Sequence, residues 1–418
     1  MRHLTQTQTL LLVLMAYVLV TIVLHLSWTE KSGMAKPVTH SHRANGSSQK
    51  PCHDTGELLK KCVQEYKTIT NSSFVGRAAP HSFVSVRKWL ATQQIHKTGQ
   101  KLADGLNFLS TAAVTRVGLG QGGSQFKFTI WLDGDLKAVF KPKWYDIDHV
   151  ISGKVYDGKD RHYGEIAAFW LALLLGFQWY PLVIGRIFNW KNEFLPVADQ
   201  ALLNTMIKKD GRQCIVGKCL YCTKDDAFCI ADDGNIEGSV ILYLPTNNKL
   251  EKLRHPWART YKEGVFARWE VDPDHCKTVK TALSEWRLLD LIDVAIFDYL
   301  IQNGDRHRYE VISNLPHPPV VVLDNGKSFG NPDVNFEDIL APLYQCCMIH
   351  KGMLDTLEAF TSPNCSLGKF LHQAMIASPI GPFLTPSHLY AVDKRLQHIL
   401  EKVQQCVKKY GASEVIFQ

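Results

Sequence analysis

The chain has 418 residues, of which 45% are hydrophobic and 21% are charged. These proportions are those of an ordinary globular protein, and the length allows one large two-lobed domain or two medium ones. The 47 basic and 40 acidic residues give a net charge of +7. Because this excess is mild and Lys and Arg do not form runs, the sequence argues against nucleic acid as a partner and leaves attraction to an anionic substrate open.

An apolar run near the N-terminus, from Leu10 to Trp28, is long enough to cross a bilayer and longer than a cleavable signal usually needs. One arginine and the free amine precede it, which favours a cytoplasmic N-terminus and a lumenal body. We therefore predict a type II membrane protein with a cytoplasmic tail at residues 1–8 and a transmembrane signal anchor at residues 9–28. Cleavage of this segment is the alternative.

Residues 29–74 are predicted to form a lumenal stem, because their polar composition cannot bury enough apolar surface to offset the entropy of ordering. In a lumenal body the sequons at Asn45, Asn71 and Asn364 would be accessible to glycosylation. That compartment is also oxidising, so we expect most of the 11 cysteines to form disulfides. The odd number leaves at least one cysteine without an intrachain partner.

A cluster of cysteines surrounds a central CxxC, and this pattern fits either a zinc site or a nested pair of disulfides. The predicted lumenal location favours disulfides. The cluster consists of Cys214, Cys219, Cys222 and Cys229. Cys346 and Cys347 are adjacent, and a bond between neighbours is strained, so each is expected to have its own partner. Cys276 and Cys406 are available as these partners, whereas Cys52 and Cys62, near the end of the stem, could close a small loop.

A glycine-rich stretch, RVGLGQGGSQF, leads into one predicted strand, and a second strand, LKAVFKP, carries Lys141 in an apolar context. Glycines between strands let backbone amides approach phosphates closely, and a lysine on the neighbouring strand can meet the same phosphates. An ordinary β-turn is the alternative for the hairpin alone. Downstream, Glu165 lies near the start of a mostly buried predicted helix, where it either complements the helix dipole or meets Lys141 or a metal; we prefer the second interpretation.

The triplet Asp160-Arg161-His162 precedes this helix and repeats a DRH found later in the chain. No strand ending in an acid follows it, so we interpret it as an ordinary polar turn. The apolar strand GSVILYLP suits a connection between two lobes, where the backbone of Ile241–Leu244 could read an adenine edge. The segment RHPWARTYKEGVFARWEVDPDHC could form a sugar or anion surface, although aromatic packing against arginine stems is the preferred interpretation.

The chain is organised around the stretch from Leu288 to Gly330, in which an apolar segment runs into the loop QNGDRHRYE and a short strand, VVVLD, ends in NGKSFG. We predict that Asp305 is a catalytic base and that Asp324 is a metal ligand, each on a loop beside a regular element, as in kinases. Either motif alone could be a solvated turn. Their order, with a buried helix before and a strand between, favours the functional interpretation.

Several segments make the sequence resemble the atypical kinases of the secretory pathway, a family that includes the Golgi casein kinase and the glycosaminoglycan xylosylkinase. They are VFKPK, DRHYGEIAAF, GKCLYC, EGSVILYLP, GDRHRYE, DNGKSFG and LAPLYQCC. The resemblance covers nearly everything from about residue 75 to the C-terminus. It implies an α+β, atypical two-lobed protein-kinase-like fold, stabilised by disulfides, with an N-lobe at residues 75–240 and a C-lobe at residues 241–418.

The resemblance also implies roles for individual residues. Asp305 is the catalytic Asp, and Glu165 and Asp324 bind manganese or magnesium. The residues implied to contact ATP are Gln125, Lys141, Ile241, Leu242, Tyr243, Leu244, Glu310 and Asp324; nearby Gln121 is easily confused with Gln125. The implied disulfides are Cys214–Cys229, Cys219–Cys222, Cys276–Cys346 and Cys347–Cys406.

The segments DNGKSFG, LAPLYQCC and RHPWARTYKEG resemble the xylosylkinase branch of the family. The resemblance then implies transfer of the ATP γ-phosphate to the 2-hydroxyl of xylose in the proteoglycan linkage region, by an enzyme of the Golgi membrane that acts on galactosyl-xylose glycans. Release by stem cleavage and the oligomeric state are left open. Gly326 is typical of the casein-kinase branch and leaves a broader acceptor range open. The alternatives are a protein Ser kinase acting on acidic motifs and a catalytically silent pseudokinase scaffold.

Overall fold

The computed structural model describes residues 60, 61 and 64 and then residues 99–244, 248–362 and 364–418. These ranges belong to one compact unit, Cys52–Gln418. Within them, no helix combines the length and the apolar character that crossing a bilayer requires. The predictions outside the described residues are the tail, the anchor, nearly all of the stem, Cys52, Cys62, and the sequons at Asn45 and Asn71.

The first half of the described chain is rich in strands. In chain order its elements are α1 (Gly99–Thr111), β1 (Val114–Leu119), β2 (Phe128–Leu132), β3 (Leu136–Pro142), α2 (His162–Leu174), β4 (Val183–Asn189), a π-helical turn (Trp190–Phe194), a 3₁₀ turn (Leu195–Val197), α3 (Gln200–Leu203), β5 (Met206–Lys209), β6 (Arg212–Ile215), β7 (Phe228–Cys229) and β8 (Asn235–Leu242). Strands β1-β2-β3-β8-β4 form a five-stranded antiparallel sheet. The last of these strands along the chain, β8, ends two residues beyond the predicted lobe boundary at residue 240.

Helix α2 is the structural centre of this half. Its sequence, HYGEIAAFWLALL, is apolar nearly all round, and every residue from His162 to Leu174 is buried. A helix of this kind must be covered on all sides, and α2 packs against β4 and β8 as well as against helices of the second half. It therefore joins the sheet to the rest of the fold and holds Glu165 at a fixed place beside the sheet.

The second half is mainly helical. Its elements are β9 (Leu250–Arg254), α4 (Arg268–Val271), α5 (His275–Ala282), α6 (Glu285–Ile301), β10 (Arg308–Ile312), β11 (Val320–Val321), a 3₁₀ turn (Glu337–Leu340), α7 (Ala341–Cys346), β12 (Ile349–His350), α8 (Lys351–Ala359), α9 (Leu367–Ile376), α10 (Pro386–Tyr410), α11 (Ala412–Val415) and β13 (Ile416–Phe417). Helix α6 is central, since it packs against α2, α5, α7 and α10. A small antiparallel sheet, β11-β10-β9, pairs the two strands that follow α6 with β9, which precedes it in the chain.

The disulfides fasten the periphery of both halves. In the first half, Cys214–Cys229 joins β6 to β7, and Cys219–Cys222 closes the loop between them. In the second half, Cys276–Cys346 joins α5 to α7, and Cys347–Cys406 joins the residue after α7 to α10. This is the pairing that the resemblance implied, and the adjacent cysteines do have separate partners.

Candidate active site

Lys141 lies at the centre of a buried charge cluster. It is the penultimate residue of β3 and is 8% exposed. Its Nζ donates to Oε1 of Glu165 at 2.6 Å and to Oδ1 of Asp324 at 2.6 Å. Glu165 comes from the first turn of α2, and Asp324 follows β11. Three predicted site residues from distant parts of the chain are thus in direct contact.

A third carboxylate, Asp160, completes the cluster. Its Oδ2 accepts from Nζ of Lys141 at 2.8 Å, and the residue is only 6% exposed. The interpretation of this triplet as an ordinary polar turn is therefore wrong, because the turn before α2 folds inward. Gly326 makes room for it, since a Cβ on Gly326 would lie 2.6 Å from Cγ of Asp160.

The charges of the cluster explain its pKa shifts. Burial opposes a charged amine, but Asp160, Asp324 and Glu165 outweigh it and raise the pKa of Lys141 well above its ordinary value. The Lys141 charge lowers the pKa of Asp324. Burial raises the pKa of Glu165, because its desolvation exceeds the attraction of Lys141. Three carboxylates share one ammonium, which leaves an excess of negative charge in the cluster.

The turn after β11 presents Asp324 with its backbone in the left-handed region, at φ 57°. Such a conformation is costly for a residue with a side chain and is typical of functional sites. The neighbouring backbone N–H of Asn325 donates to Oε1 of Glu165 at 3.1 Å. The Asp324 side chain lines a cavity and is 82% exposed. The turn therefore directs a solvent-accessible carboxylate toward α2.

Asp305 lies on the loop that follows α6. The helix ends at Ile301, and its C-cap, Gln302, has a φ of 62° that reverses the chain. The backbone N–H of Asp305 donates to Oδ1 of Asn303 at 3.2 Å. The next residue, Arg306, is anchored in the interior: its guanidinium donates to Oδ1 of Asp298 and to the carbonyl of Leu323, both at 2.8 Å. Arg306 thereby connects the Asp305 loop to the segment after β11 that carries Asp324.

The sequence did not predict that Tyr261 contacts Asp305. Its hydroxyl donates to Oδ1 of Asp305 at 2.5 Å. Burial raises the pKa of Asp305, and the hydrogen bond from Tyr261 partly offsets this effect. The preferred interpretation of the Tyr261 segment as aromatic packing holds for Trp269, whose ring lies 5.6 Å from the Arg259 guanidinium, but it overlooked this bond.

Lys141, Glu165, Asp305 and Asp324 all line one cavity of about 370 Å³, to which the five-stranded sheet and strand β9 also contribute. Asp160 lines it as well. The predicted nucleotide contacts that line it are Gln125, Ile241, Leu242, Tyr243 and Leu244, and Gln121 is also present. Glu310 is not part of the lining; it lies on β10 between Lys252 and Val321, and Lys252 reaches the cavity.

The glycine-rich loop forms part of the lining of the cavity. It connects β1 to β2, and Gly122 and Gly123 adopt φ values of 66° and 77°, which suit glycine. Nζ of Lys127 donates to the carbonyl of Gly122 at 2.8 Å, and the backbone N–H of Leu220 donates to the carbonyl of Gly123 at 3.0 Å. The loop is therefore held by β2 and by the disulfide-bonded segment.

The acidic cluster fits a divalent metal. One ligand oxygen from each of Asp160, Glu165 and Asp324 lies within 4.8 Å of the others. Hard cations such as Mg²⁺ and Mn²⁺ prefer carboxylate oxygens, and a divalent ion would balance the excess negative charge. The donor set and the charge both agree with the predicted metal site and add Asp160 to it.

The matching family is described as "Golgi casein kinase, C-terminal, Fam20", and the match covers residues 81–415. The chain belongs to the Fam20 family. This confirms the predicted resemblance. Human glycosaminoglycan xylosylkinase is 42% identical over 336 residues, which cover 79% of this chain and 81% of that protein.

Solved structures of the Fam20 family share the fold. The structure of hydra Fam20 with sugar matches with a TM-score of 0.76 at 40% identity and covers 81% of this chain and 99% of that one. The Golgi casein kinase with Mn and ADP bound matches with a TM-score of 0.74 at 28% identity, covering 92% and 96%. The predicted α+β kinase-like fold with disulfides is therefore confirmed.

Proposed function

We propose that this Fam20 protein is an ATP-dependent glycan kinase that phosphorylates the 2-hydroxyl of xylose in the proteoglycan linkage region. The observation that carries the proposal is the meeting of Lys141, Glu165, Asp305 and Asp324 in one cavity. A kinase requires these chemical groups together. The choice of a glycan acceptor is supported by the identity to human glycosaminoglycan xylosylkinase and by the likeness to hydra Fam20 with sugar.

In the proposed reaction, the bond between the γ-phosphorus and the bridging oxygen of ATP breaks, and the acceptor hydroxyl oxygen bonds to the phosphorus. Asp305 orients this hydroxyl and accepts its proton. Lys141 neutralises charge on the phosphates. A manganese or magnesium ion held by Glu165 and Asp324, with Asp160 beside them, would supply further charge neutralisation. The contribution of the protein is mainly positioning and electrostatics.

The other predicted residues have supporting roles in the proposal. The backbone of Ile241–Leu244 would read the adenine edge at the end of β8, and Gln125 would contact the nucleotide from below the glycine-rich loop. Both stretches line the cavity. Glu310 would face the nucleotide from β10, where the opposite residue, Lys252, already lines the cavity.

The proposal includes the predicted organisation of the chain: a lumenal N-lobe at residues 75–240 and C-lobe at residues 241–418, behind a stem and a type II anchor in the Golgi membrane. The family description names a Golgi kinase, and the disulfides agree with an oxidising compartment. Asn364 is exposed and would be accessible to glycosylation there.

The test is incubation of the purified lumenal protein with labelled ATP and Mn²⁺, offering a galactosyl-xylose acceptor beside an acidic Ser peptide. We expect label on the sugar and no label with Asp305→Asn, which keeps the size of the side chain and removes its charge. Asp305→Asn should still be stabilised by Mn²⁺ and ADP, since Asp305 does not contact Lys141. Label on the peptide alone would replace the glycan kinase with a protein Ser kinase, and no label on either would favour a pseudokinase.

A further inference from the structure

The segment from Arg259 to Tyr261 contacts the Asp305 loop at two successive residues, and the proposed function gives it no role. Nε of Arg259 donates to the carbonyl of Gly304 at 3.1 Å, and the Tyr261 hydroxyl donates to Oδ1 of Asp305. Arg259 is itself fixed by an ion pair with Asp338. The segment therefore contacts the Asp305 loop directly and is itself anchored through Asp338.

The distances show which acceptor receives the Tyr261 proton. The hydroxyl lies 2.5 Å from Oδ1 of Asp305 but 3.4 Å from both the Asp305 carbonyl and Nδ1 of His307. Hydrogen bonds weaken steeply over this range. The proton is thus committed to Oδ1. Among the described ranges 99–244, 248–362 and 364–418, no donor contacts Oδ2, which leaves that oxygen for an acceptor hydroxyl.

Two aromatic rings lie beside the ring of Tyr261. Tyr156 meets it edge to face, with ring centroids 4.9 Å apart, and the His307 ring lies 6.0 Å away. Tyr261 is 46% exposed, so removal of its hydroxyl would open no cavity in the core. A change of Tyr261 to Phe therefore isolates the hydrogen bond from the packing.

We propose that Tyr261 is a positioning residue, whose hydroxyl fixes the Asp305 carboxylate so that Oδ2 accepts the proton of the substrate hydroxyl. This inference rests on the proposed function, because it assigns a role to Tyr261 through Asp305. Tyr261 does not line the cavity that contains the nucleotide residues. Its effect should therefore fall on the phosphoryl-transfer step and spare ATP binding.

The titratable and charged groups that face Asp305 set the direction of the expected pH effect. They are His307, Lys327, Arg161 and Asp324, together with the Tyr261 hydroxyl. Burial raises the pKa of Asp305, whereas the hydrogen bond from Tyr261 lowers it. Loss of this bond should raise the pKa further. Since a general base works in its deprotonated form, the acid limb of the kcat/KM profile should move to higher pH.

The experiment compares Tyr261→Phe with Tyr156→Phe, a neighbouring ring that loses a hydroxyl without a contact to Asp305. For Tyr261→Phe we expect kcat to fall about 10- to 100-fold, the KM for ATP to stay unchanged, and the acid limb to shift upward. Tyr156→Phe should match the wild type in all three. Both variants should keep the wild-type Tm, which checks that folding is intact.

Wild-type kcat and an unshifted acid limb for Tyr261→Phe would overturn the positioning role. If Asp305→Asn is inactive in that case, the proposed function stands and only the inference fails. If Asp305→Asn instead transfers phosphate at the wild-type rate, the role of Asp305 fails and the inference fails with it. An equal loss of kcat in Tyr156→Phe would show that the loss does not depend on the hydrogen bond to Asp305, which also contradicts the proposal.

Discussion

Lys141 and Asp305 line the same cavity but are held in different ways. Lys141 is 8% exposed and bonds three carboxylates, two from residues 160–165 around the start of α2 and one from Asp324. The Asp305 side chain is half-buried, and within the described ranges a tyrosine hydroxyl is its hydrogen-bond donor. In our proposal the first region binds the phosphates and the second receives the acceptor. A nucleotide that all members of a family share requires one fixed geometry of the binding residues. An acceptor site that is held by few contacts can change its geometry from one family member to another.

The largest expected effect comes from Asp324→Asn, which removes the most accessible carboxylate of the Lys141 cluster. We expect Mn²⁺ and ADP to lose their ability to raise the Tm and turnover to fall about 1000-fold. The measurements are thermal denaturation with and without Mn²⁺ and ADP, and the labelled-ATP assay. Asp333→Asn, which changes an exposed aspartate nearby, is the matched control. Full Mn²⁺-dependent stabilisation of Asp324→Asn would refute the assignment of Asp324 as a ligand.

Gly326→Ala tests how tightly the cluster is packed. The added Cβ would lie 2.6 Å from Cγ of Asp160, so the turn or Asp160 must move, and we expect a loss of about 1–3 kcal/mol in the free energy of unfolding. Gly352→Ala is the control, because a Cβ there meets nothing within 4 Å and the residue lies in α8. Urea denaturation measures both. A stability change no larger than that of the control would show that Asp160 can move freely.

Asp160→Asn should have the smallest effect of the three. It removes one of the clustered carboxylates while Glu165 and Asp324 remain, so we expect the Mn²⁺-dependent affinity for ADP to weaken about tenfold. The KM for the acceptor should stay unchanged, because Asp160 and Asp305 belong to the two different regions. Titration of ADP at fixed Mn²⁺ measures the effect, with the exposed Asp148→Asn as control. Unaltered affinity would remove Asp160 from the metal site.

The sequence predicted the two-lobed fold. It also predicted the site residues that lie at or near the ends of helices and strands. Lys141 lies near the end of an apolar strand, Glu165 in the first turn of an apolar helix, and Asp324 after a short strand. The apolar elements beside these residues and the order of the motifs along the chain predicted the sites of Lys141 and Asp324, and helical spacing predicted that of Glu165. The family resemblance supplied the disulfide pairing, since spacing alone leaves several pairings open.

Two residues of the site could not be predicted in this way. Asp160 precedes α2 in a polar triplet, and its burial depends on the absence of a side chain at Gly326, far along the chain. Tyr261 lies in a segment without periodicity, whose position depends on the contacts of Arg259 with Gly304 and Asp338. Both are placed by tertiary contacts with residues that are distant in sequence, which no local pattern encodes.

The adjacent cysteines have a practical consequence for handling the protein. Through Cys276–Cys346 and Cys347–Cys406, α5 and α10 are covalently fastened at one point of the chain, closing loops with sequence separations of 70 and 59. Each closure stabilises the fold by roughly 4 kcal/mol in the chain-entropy description. Material expressed in a reducing cytosol would lack both closures, so an inactive preparation from such a host would report on its oxidation state rather than on the chemistry of the cavity.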